Sequence, residues 1–217
     1  MRNGTDAKVV KDLVQETRCT IEALQETKLS VINETDITEI LAVRFSKQFA
    51  YLPAQGTRGG ALIAVDEDYY NICRSEVRDH IVSVCVTSTQ CTAHRETGEK
   101  IEFLRELREL KSVVGDKWLV IGDFNLIVTD EDKSNNNLNR RLMGEFRSTL
   151  NYLELKEINL RGRKYTWTND TTQTRINRAF CSVHWDLMLP ASDLQALSSL
   201  VSDHSPLLLV GATAVHK

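Results

Sequence analysis

Short apolar runs, ALIAV (61–65), IVSVCV (81–86), WLVIG (118–122) and LLLV (207–210), alternate along the chain with segments whose apolar residues recur at helical spacing. Runs this short fit buried strands. The helical segments are the one carrying Val9, Val10, Leu13 and Val14, one over roughly 34 to 43, one carrying Ile101, Leu104, Leu107 and Leu110 that Gly115 closes, and one carrying Leu142, Phe146 and Leu150. CTIEAL reads as a further strand ending at Gln25 and Glu26, QGTRGG (55–60) as a turn, and YTWT and INRAF as strands. Interleaving of this kind predicts a mixed α/β fold in one domain spanning 1–217.

Composition agrees with a packed core. The 217 residues are 41% hydrophobic and 26% charged, which excludes disorder. No apolar stretch approaches the roughly 18 residues that span a bilayer, and MRNGTDAKVVKDLV lacks the apolar segment of a secretory signal. The expectation is a nuclear or cytoplasmic monomer that is neither secreted nor membrane-bound. Five cysteines, Cys19, Cys73, Cys85, Cys91 and Cys181, show no CxxC spacing and read as reduced, mostly packing thiols. A net charge of -3 argues against a protein that coats nucleic acid by bulk electrostatics, though not against an enzyme gripping a few phosphates. The basic clusters Arg140-Arg141, Arg161 to Lys164, and Arg175 with Arg178 fit a solvated face as well as a phosphate grip.

Polar residues at strand ends carry more information. Glu26 follows one strand, Asp123 and Asn125 follow another, and Asp203 and His204 precede a third. A single strand-end carboxylate ordinarily caps a turn or faces water. Three such places together supply acids, an amide and a histidine, groups that could hold a hard divalent cation through oxygen, orient a water and stabilise a phosphoryl oxygen. That combination suits phosphodiester hydrolysis.

The motifs LQETKL (24–29), RGGALIAV (58–65), IGDFN (121–125), GRKYTWTN (162–169), RINRAF (175–180) and SDHSPLLL (202–209) resemble, in order, those of the endonuclease/exonuclease/phosphatase superfamily. The likeness runs from about residue 9 to about 210. It is closest to the endonuclease domain of plant long interspersed (non-LTR) retrotransposons, itself similar to apurinic/apyrimidinic endonucleases. The resemblance implies a four-layered α/β sandwich, two packed mixed sheets flanked by helices, with DNA as substrate and Mg²⁺ as cofactor, replaceable by Mn²⁺. It further implies that Glu26 ligates the metal, that Asp203 lies beside it or holds the neighbouring side chain, that Asp123 orients or deprotonates the attacking water, that Asn125 contacts the phosphate, and that His204 donates a hydrogen bond to the phosphoryl oxygen.

The sequence departs from that pattern at specific positions. Family members begin with a strand of the type WNVRGL, whereas this chain starts with MRNGTDAKVV, so an N-terminally truncated domain missing its first strand is expected, with neighbouring backbone groups left unpaired. Thr92 stands where the family expects a tyrosine, and Arg175-Ile176-Asn177-Arg178 replaces Arg-Ile-Asp-Arg. The amide of Asn177 cannot supply the charge that would stabilise a protonated His204.

Other residues are read as structural. His80, His94, His184 and His216 lack ligand-like spacing, Asp130-Glu131-Asp132 lacks the donors of a calcium loop and is expected to be solvated, and Trp118, Trp167 and Trp185 are assigned to core packing. Lys28 either touches phosphate or faces water. Two function classes follow: a Mg²⁺-dependent DNA endonuclease of retrotransposon origin with weakened activity, or a catalytically impaired remnant that at most binds. Hydrolysis of a small phosphoester would use the same core.

Overall fold

A computed structural model of the chain describes residues 4–56, 59–86, 100–198 and 203–211. The chain divides into two compact units, residues 1–94 and 95–217. Among the described residues, no helix is long and apolar enough to cross a membrane.

The first unit contains helices α1 (Gly4–Thr17) and α2 (Glu34–Ile40) and strands β1 (Ile21–Gln25), β2 (Phe49–Leu52), β3 (Ala61–Val65), β4 (Ile72–Val77) and β5 (Val82–Val86). Strands β1, β3 and β2 form one antiparallel sheet in that order, and β4 pairs with β5. β3 is buried along its whole length, which is why ALIAV is continuously apolar rather than alternating. Its two faces serve two clusters. Leu62 and Ala64 pack with Val14, Ile37, Leu41 and Phe45, while Ala61, Ile63 and Val65 pack with Ala50, Leu52, Val82 and Val84. α2 starts on Asn33, whose side chain accepts from Thr35 and Asp36 while Asp36 accepts from the Asn33 N–H, a reciprocal cap. The helix expected over 34 to 43 stops at Ile40 and continues as a short 3₁₀ turn, Val43–Phe45.

The second unit contains α3 (Lys100–Leu110), β6 (Leu119–Asp123), α4 (Arg140–Tyr152), β7 (Leu155–Glu157), β8 (Leu160–Arg161), β9 (Trp167–Thr168), β10 (Gln173–Thr174), β11 (Asn177–Ser182), α5 (Val183–Met188), β12 (Asp193–Ala196) and β13 (Leu207–Val210). β11 lies between β6 and β7, both antiparallel to it, and β12 lies between β13 and β8. Alternation along β11 separates two environments. Ala179 and Cys181 join Leu119, Trp185 and Leu194 on one face. Phe180 joins Phe124 and Phe146 on the other, with ring centroids 5.1 and 5.7 Å away, and Phe103 completes the group 5.9 Å from Phe124.

Several sequence expectations need correction. Arg178 is not part of a solvated basic face: it is 1% exposed and ion-paired with Asp132 and Glu157. Asp132, expected to be solvated, is buried for the same reason, while its neighbour Asp130 does meet an exposed Arg140. His80, read as surface or locally hydrogen-bonded, is buried. Trp118 and Trp185 are core residues as expected, but Trp167 is only partly buried. Of the described cysteines Cys181 is buried, whereas Cys73 and Cys85 are exposed and do not serve packing. Thr92, His94, His216 and Cys91 lie outside the described residues.

Candidate functional site

Four of the five predicted site residues belong to the second unit, where β6 and β11 set their positions. Asp123 is the last residue of β6 and stands directly opposite Asn177 in the β11 ladder. Opposed residues in an antiparallel pair project from the same face, so the two polar side chains share one end of the sheet. Phe124, buried in the aromatic cluster, holds the chain immediately beyond it, and its N–H donates to the Ile176 carbonyl at 3.0 Å. Asn125 then adopts φ 49°, a left-handed conformation that asparagine tolerates better than most residues. The turn is closed by Asp123 itself: one carboxylate oxygen accepts from the Asn125 backbone N–H at 2.8 Å and the other from its side-chain amide at 2.8 Å. Asp123 therefore does cap its own turn, and the same contacts fix the direction of a carboxylate only 7% exposed.

The segment carrying Asp203 and His204 is stitched to the opposite strand end through Thr166, which is 1% exposed. Its hydroxyl accepts from the N–H groups of Ile176 (3.1 Å) and Asn177 (2.9 Å), and its carbonyl accepts from Ser205 N–H at 2.7 Å. Thr168 N–H donates to the Asp203 carbonyl at 3.1 Å, and the Trp167 indole donates to the Asp203 carboxylate at 2.7 Å. These bonds bring His204 Nδ1 to 3.1 Å from the Asn177 amide oxygen and 3.9 Å from an Asp123 carboxylate oxygen. With an amide oxygen as acceptor, Nδ1 donates to Asn177 and Nε2 is the ring nitrogen left to face a ligand.

Beside this group opens a cavity of about 340 Å³ whose lining includes Lys100, Asn125, Lys133, Asn137, Asn139 and Trp167. Lys100 donates to the Asn125 carbonyl at 2.5 Å. Burial lowers the ease with which its ammonium holds a proton; the Asp123 carboxylate acts in the opposite sense and Lys133 adds to the lowering. Neither lysine was singled out by sequence as a site residue. Asn137 and Asn139 belong to the asparagine-rich run SNNNLN (134–139), and nothing in that run marks them as part of a cavity wall. Trp167 carried the strongest misread signal: an aromatic in a supposed core strand that in fact binds a site carboxylate.

Glu26 belongs to the first unit. It follows β1 with φ 53°, its carboxylate pairs with Lys28, and its side chain is 39% exposed. Lys28 is thus an ion-pair partner as well as a solvent-facing cation. The carboxylate lies where a Cβ on Gly59 would fall, since such an atom would meet both carboxylate oxygens at overlapping distance. Glycine at 59 keeps open a cradle that any side chain would fill, and this is the feature that fits a metal-binding carboxylate. Among the described residues no group of three or more His, Cys, Asp or Glu converges on one point. That is compatible with Mg²⁺, which is commonly held by one or two carboxylates with waters and substrate phosphate completing the shell. Asp203, with one oxygen taken by Trp167, supplies a second carboxylate in its own unit.

No family model matches the sequence, and no curated protein matches it significantly. Solved structures do. An AP endonuclease from Archaeoglobus fulgidus superimposes with a TM-score of 0.74 at 14% identity, covering 94% of this chain and 93% of that one. The 3' phosphatase NExo from Neisseria, bound to a product DNA hairpin, gives 0.72 at 16% identity, covering 96% and 95%. The endonuclease domain of TRAS1, a telomere-specific non-LTR retrotransposon, gives 0.66 at 16% identity, covering 96% and 92%. The chain has the α/β fold of the endonuclease/exonuclease/phosphatase proteins.

Proposed function

We propose that the chain is a divalent-metal-dependent phosphodiester hydrolase that nicks DNA, an endonuclease of retrotransposon ancestry with weakened turnover. The observation that carries this reading is His204 Nδ1 held 3.1 Å from Asn177 and 3.9 Å from Asp123, whose hydrogen-bond partner Asn125 lines a cavity together with Lys100 and Lys133. Asp123 is the base: its orientation is locked by Asn125, and it accepts the proton of the attacking water. His204 donates a hydrogen bond to the phosphoryl oxygen as negative charge builds there. Lys100 and Lys133 offer positive charge to the flanking phosphates despite a net charge of -3 over the whole chain. Trp167 and the asparagines of the cavity wall offer a stacking face and amide groups suited to a nucleoside. Glu26 of the first unit and Asp203 of the second would each offer a carboxylate to Mg²⁺, with Mn²⁺ as a substitute, and a bound ion would supply Lewis-acid stabilisation of the phosphoryl oxygens. The DNA hairpin in the Neisseria structure and the retrotransposon source of the TRAS1 domain support DNA as the substrate class.

A second reading, a binding domain with impaired catalysis, is favoured by one residue. Asn177 meets His204 at hydrogen-bond distance with an uncharged amide while the Asp123 carboxylate stands back at 3.9 Å, so the contact that orients the ring carries no charge. Nicking of supercoiled plasmid, with Mg²⁺ and with chelator, separates the two. Mg²⁺-dependent nicking abolished by Asp123→Ala supports the endonuclease; DNA binding by anisotropy without nicking supports the second reading. Strong nicking untouched by chelator or by Asp123→Ala would overturn the mechanism.

A further inference from the structure

On the β4–β5 hairpin of the first unit, two exposed thiols lie on the two neighbouring strands. Val77, Glu76 and Ser75 pair regularly with Val82, Ser83 and Val84, and then the register slips: Arg74 opposes Cys85, Ile72 opposes Val86, and Cys73 is the extra residue between them. In such a bulge two residues of one strand oppose one of the other, so Cys73 and Arg74 together face Cys85. The Cys73 thiol reaches the Cys85 carbonyl, its Sγ lying 3.1 Å from that oxygen. The directly opposed pair is Arg74 with Cys85, their Cα atoms about 4.5–5.5 Å apart as in any antiparallel ladder, and Cys73 is the next residue in the bulge. Both cysteines are exposed, so a small oxidant reaches them without the strands opening.

We propose that Cys73 and Cys85 are an oxidation-sensitive dithiol that closes to an intrachain disulfide by exchange with a small-molecule disulfide such as glutathione disulfide. One cysteine thiolate attacks a sulfur of glutathione disulfide, forming a protein–glutathione mixed disulfide and releasing one glutathione thiolate. The second cysteine thiolate attacks the protein sulfur of that mixed disulfide, forming the Cys73–Cys85 bond and releasing the second glutathione. Two protein thiols are oxidised, one glutathione disulfide is reduced to two thiols, and the two protons pass to the released glutathione. A soft-metal site is the weaker alternative, because among the described residues no third His, Cys, Asp or Glu joins the pair. The Cys73 thiol, followed by burial and by the charge Cys73 would carry, holds the Cys85 thiol above its ordinary range, with Arg74 opposing. Closing a loop between residues 12 apart ties the bulge to its partner strand and restricts the unfolded chain.

The test is glutathione disulfide treatment of the intact chain, followed by maleimide blocking and mass spectrometry of the protein and its peptides. The expected result is a loss of about 2 Da, two hydrogens, with two cysteines no longer blocked and a cross-linked peptide joining the two strands. Cys73→Ser and Cys85→Ser should each stop at a glutathione adduct on the remaining partner, while Cys91→Ser should close as the parent does. A persistent adduct on Cys73 or Cys85 in the parent chain, a bond from either to Cys91 or to a second chain, or full maleimide labelling of both after treatment would each overturn the proposal.

Discussion

Asn177 and Arg178 are neighbours in β11 yet head two unlike clusters of charge. Strand alternation sends Asn177 to the face where Asp123 and His204 lie and Arg178 to the face beneath the aromatic core. The Arg178 cluster is closed. Its guanidinium meets Asp132 and, at 2.6 Å, Glu157, which also accepts from Arg175 at 2.7 Å, while Asp132 is further held by the N–H groups of Val128 and Thr129 at 2.8 Å each. The Asp123 cluster is open: His204 keeps a third of its side chain exposed and Lys100 and Asn125 line a cavity. The same residue types thus hold the fold together where Arg178 and Asp132 pair in the core, and remain available to a ligand where Lys100 and Asn125 line a cavity.

If that division is right, the two clusters fail differently when cut. Asp123→Ala removes the proposed base, and nicking should fall by about 10²–10⁴-fold. Its thermal stability should drop far less, by about 1 kcal/mol for the lost turn hydrogen bonds. Plasmid nicking measured beside thermal unfolding checks both numbers. A variant that loses its fold along with its activity would place Asp123 in the same class as Arg178.

Arg178→Ala should show the reverse weighting. Removing one partner of a buried ion pair leaves the Asp132 carboxylate without its cation, while Glu157 keeps Arg175, and costs about 3–5 kcal/mol. The acid limb reports on it separately. Burial pushes the Asp132 carboxyl up, but the Arg178 hydrogen bond and charge, with the two backbone donors, outweigh it and hold it below its ordinary value. A depressed folded value means the stabilisation is fully present above the unfolded value, about 3.9, and is lost as pH falls through the lower folded value. Denaturant midpoints across that range should lose this part of their acid sensitivity in Asp132→Asn.

How much of this division was legible before the fold was known depends on sequence distance. GDFN and SDH stood out because a polar residue inside an apolar run is a local signal, and the pairing of Asn177 with His204 followed from the family pattern. The burial of Arg178 did not, since its partners lie in other elements and an RINR segment looks the same whether paired or solvated. The indole of Trp167 binds a carboxylate 36 residues away, again with no local mark. Strands β4 (ICRSEV) and β12 (DLQA) passed unseen because their exposed or half-buried positions leave no apolar run, whereas β3, buried throughout, announced itself. The short α5 (VHWDLM) lacks the length over which helical spacing can be recognised.

The turn below Glu26 offers a smaller effect and the same contrast in miniature. A Cβ on Gly60 would lie 2.7 Å from the Leu52 carbonyl and 3.1 Å from the Ala54 nitrogen, backbone atoms that cannot step aside, so Gly60→Ala should cost about 1–3 kcal/mol. At Gly59 the obstructing atoms are the far end of the Glu26 side chain. Gly59→Ala should therefore leave the unfolding midpoint within about 0.5 kcal/mol of the parent while raising the Mg²⁺ concentration needed for half-maximal nicking. Equal destabilisation by both substitutions would show the Glu26 carboxylate to be as rigidly packed as backbone.

The smallest effect comes from giving the open cluster the charge it lacks. Asn177→Asp sets a carboxylate directly across the ladder from Asp123, and like charges in opposed positions cost about 0.2–1 kcal/mol. In the closed cluster a further acid would have no room; here the cavity and the half-exposed His204 admit counterions, so the penalty should shrink as NaCl is raised. A divalent cation drawn to two adjacent carboxylates should reverse it. Unfolding measured without and with Mg²⁺ should thus give a lower midpoint than the parent in chelator and a larger Mg²⁺-induced rise, accompanied by faster nicking as the imidazolium of His204 gains a charged partner. A variant whose midpoint falls equally with and without Mg²⁺, and that nicks no faster, would mean that this end of β11 is as closed to ions as the Arg178 side, and the contrast between the two faces would fail.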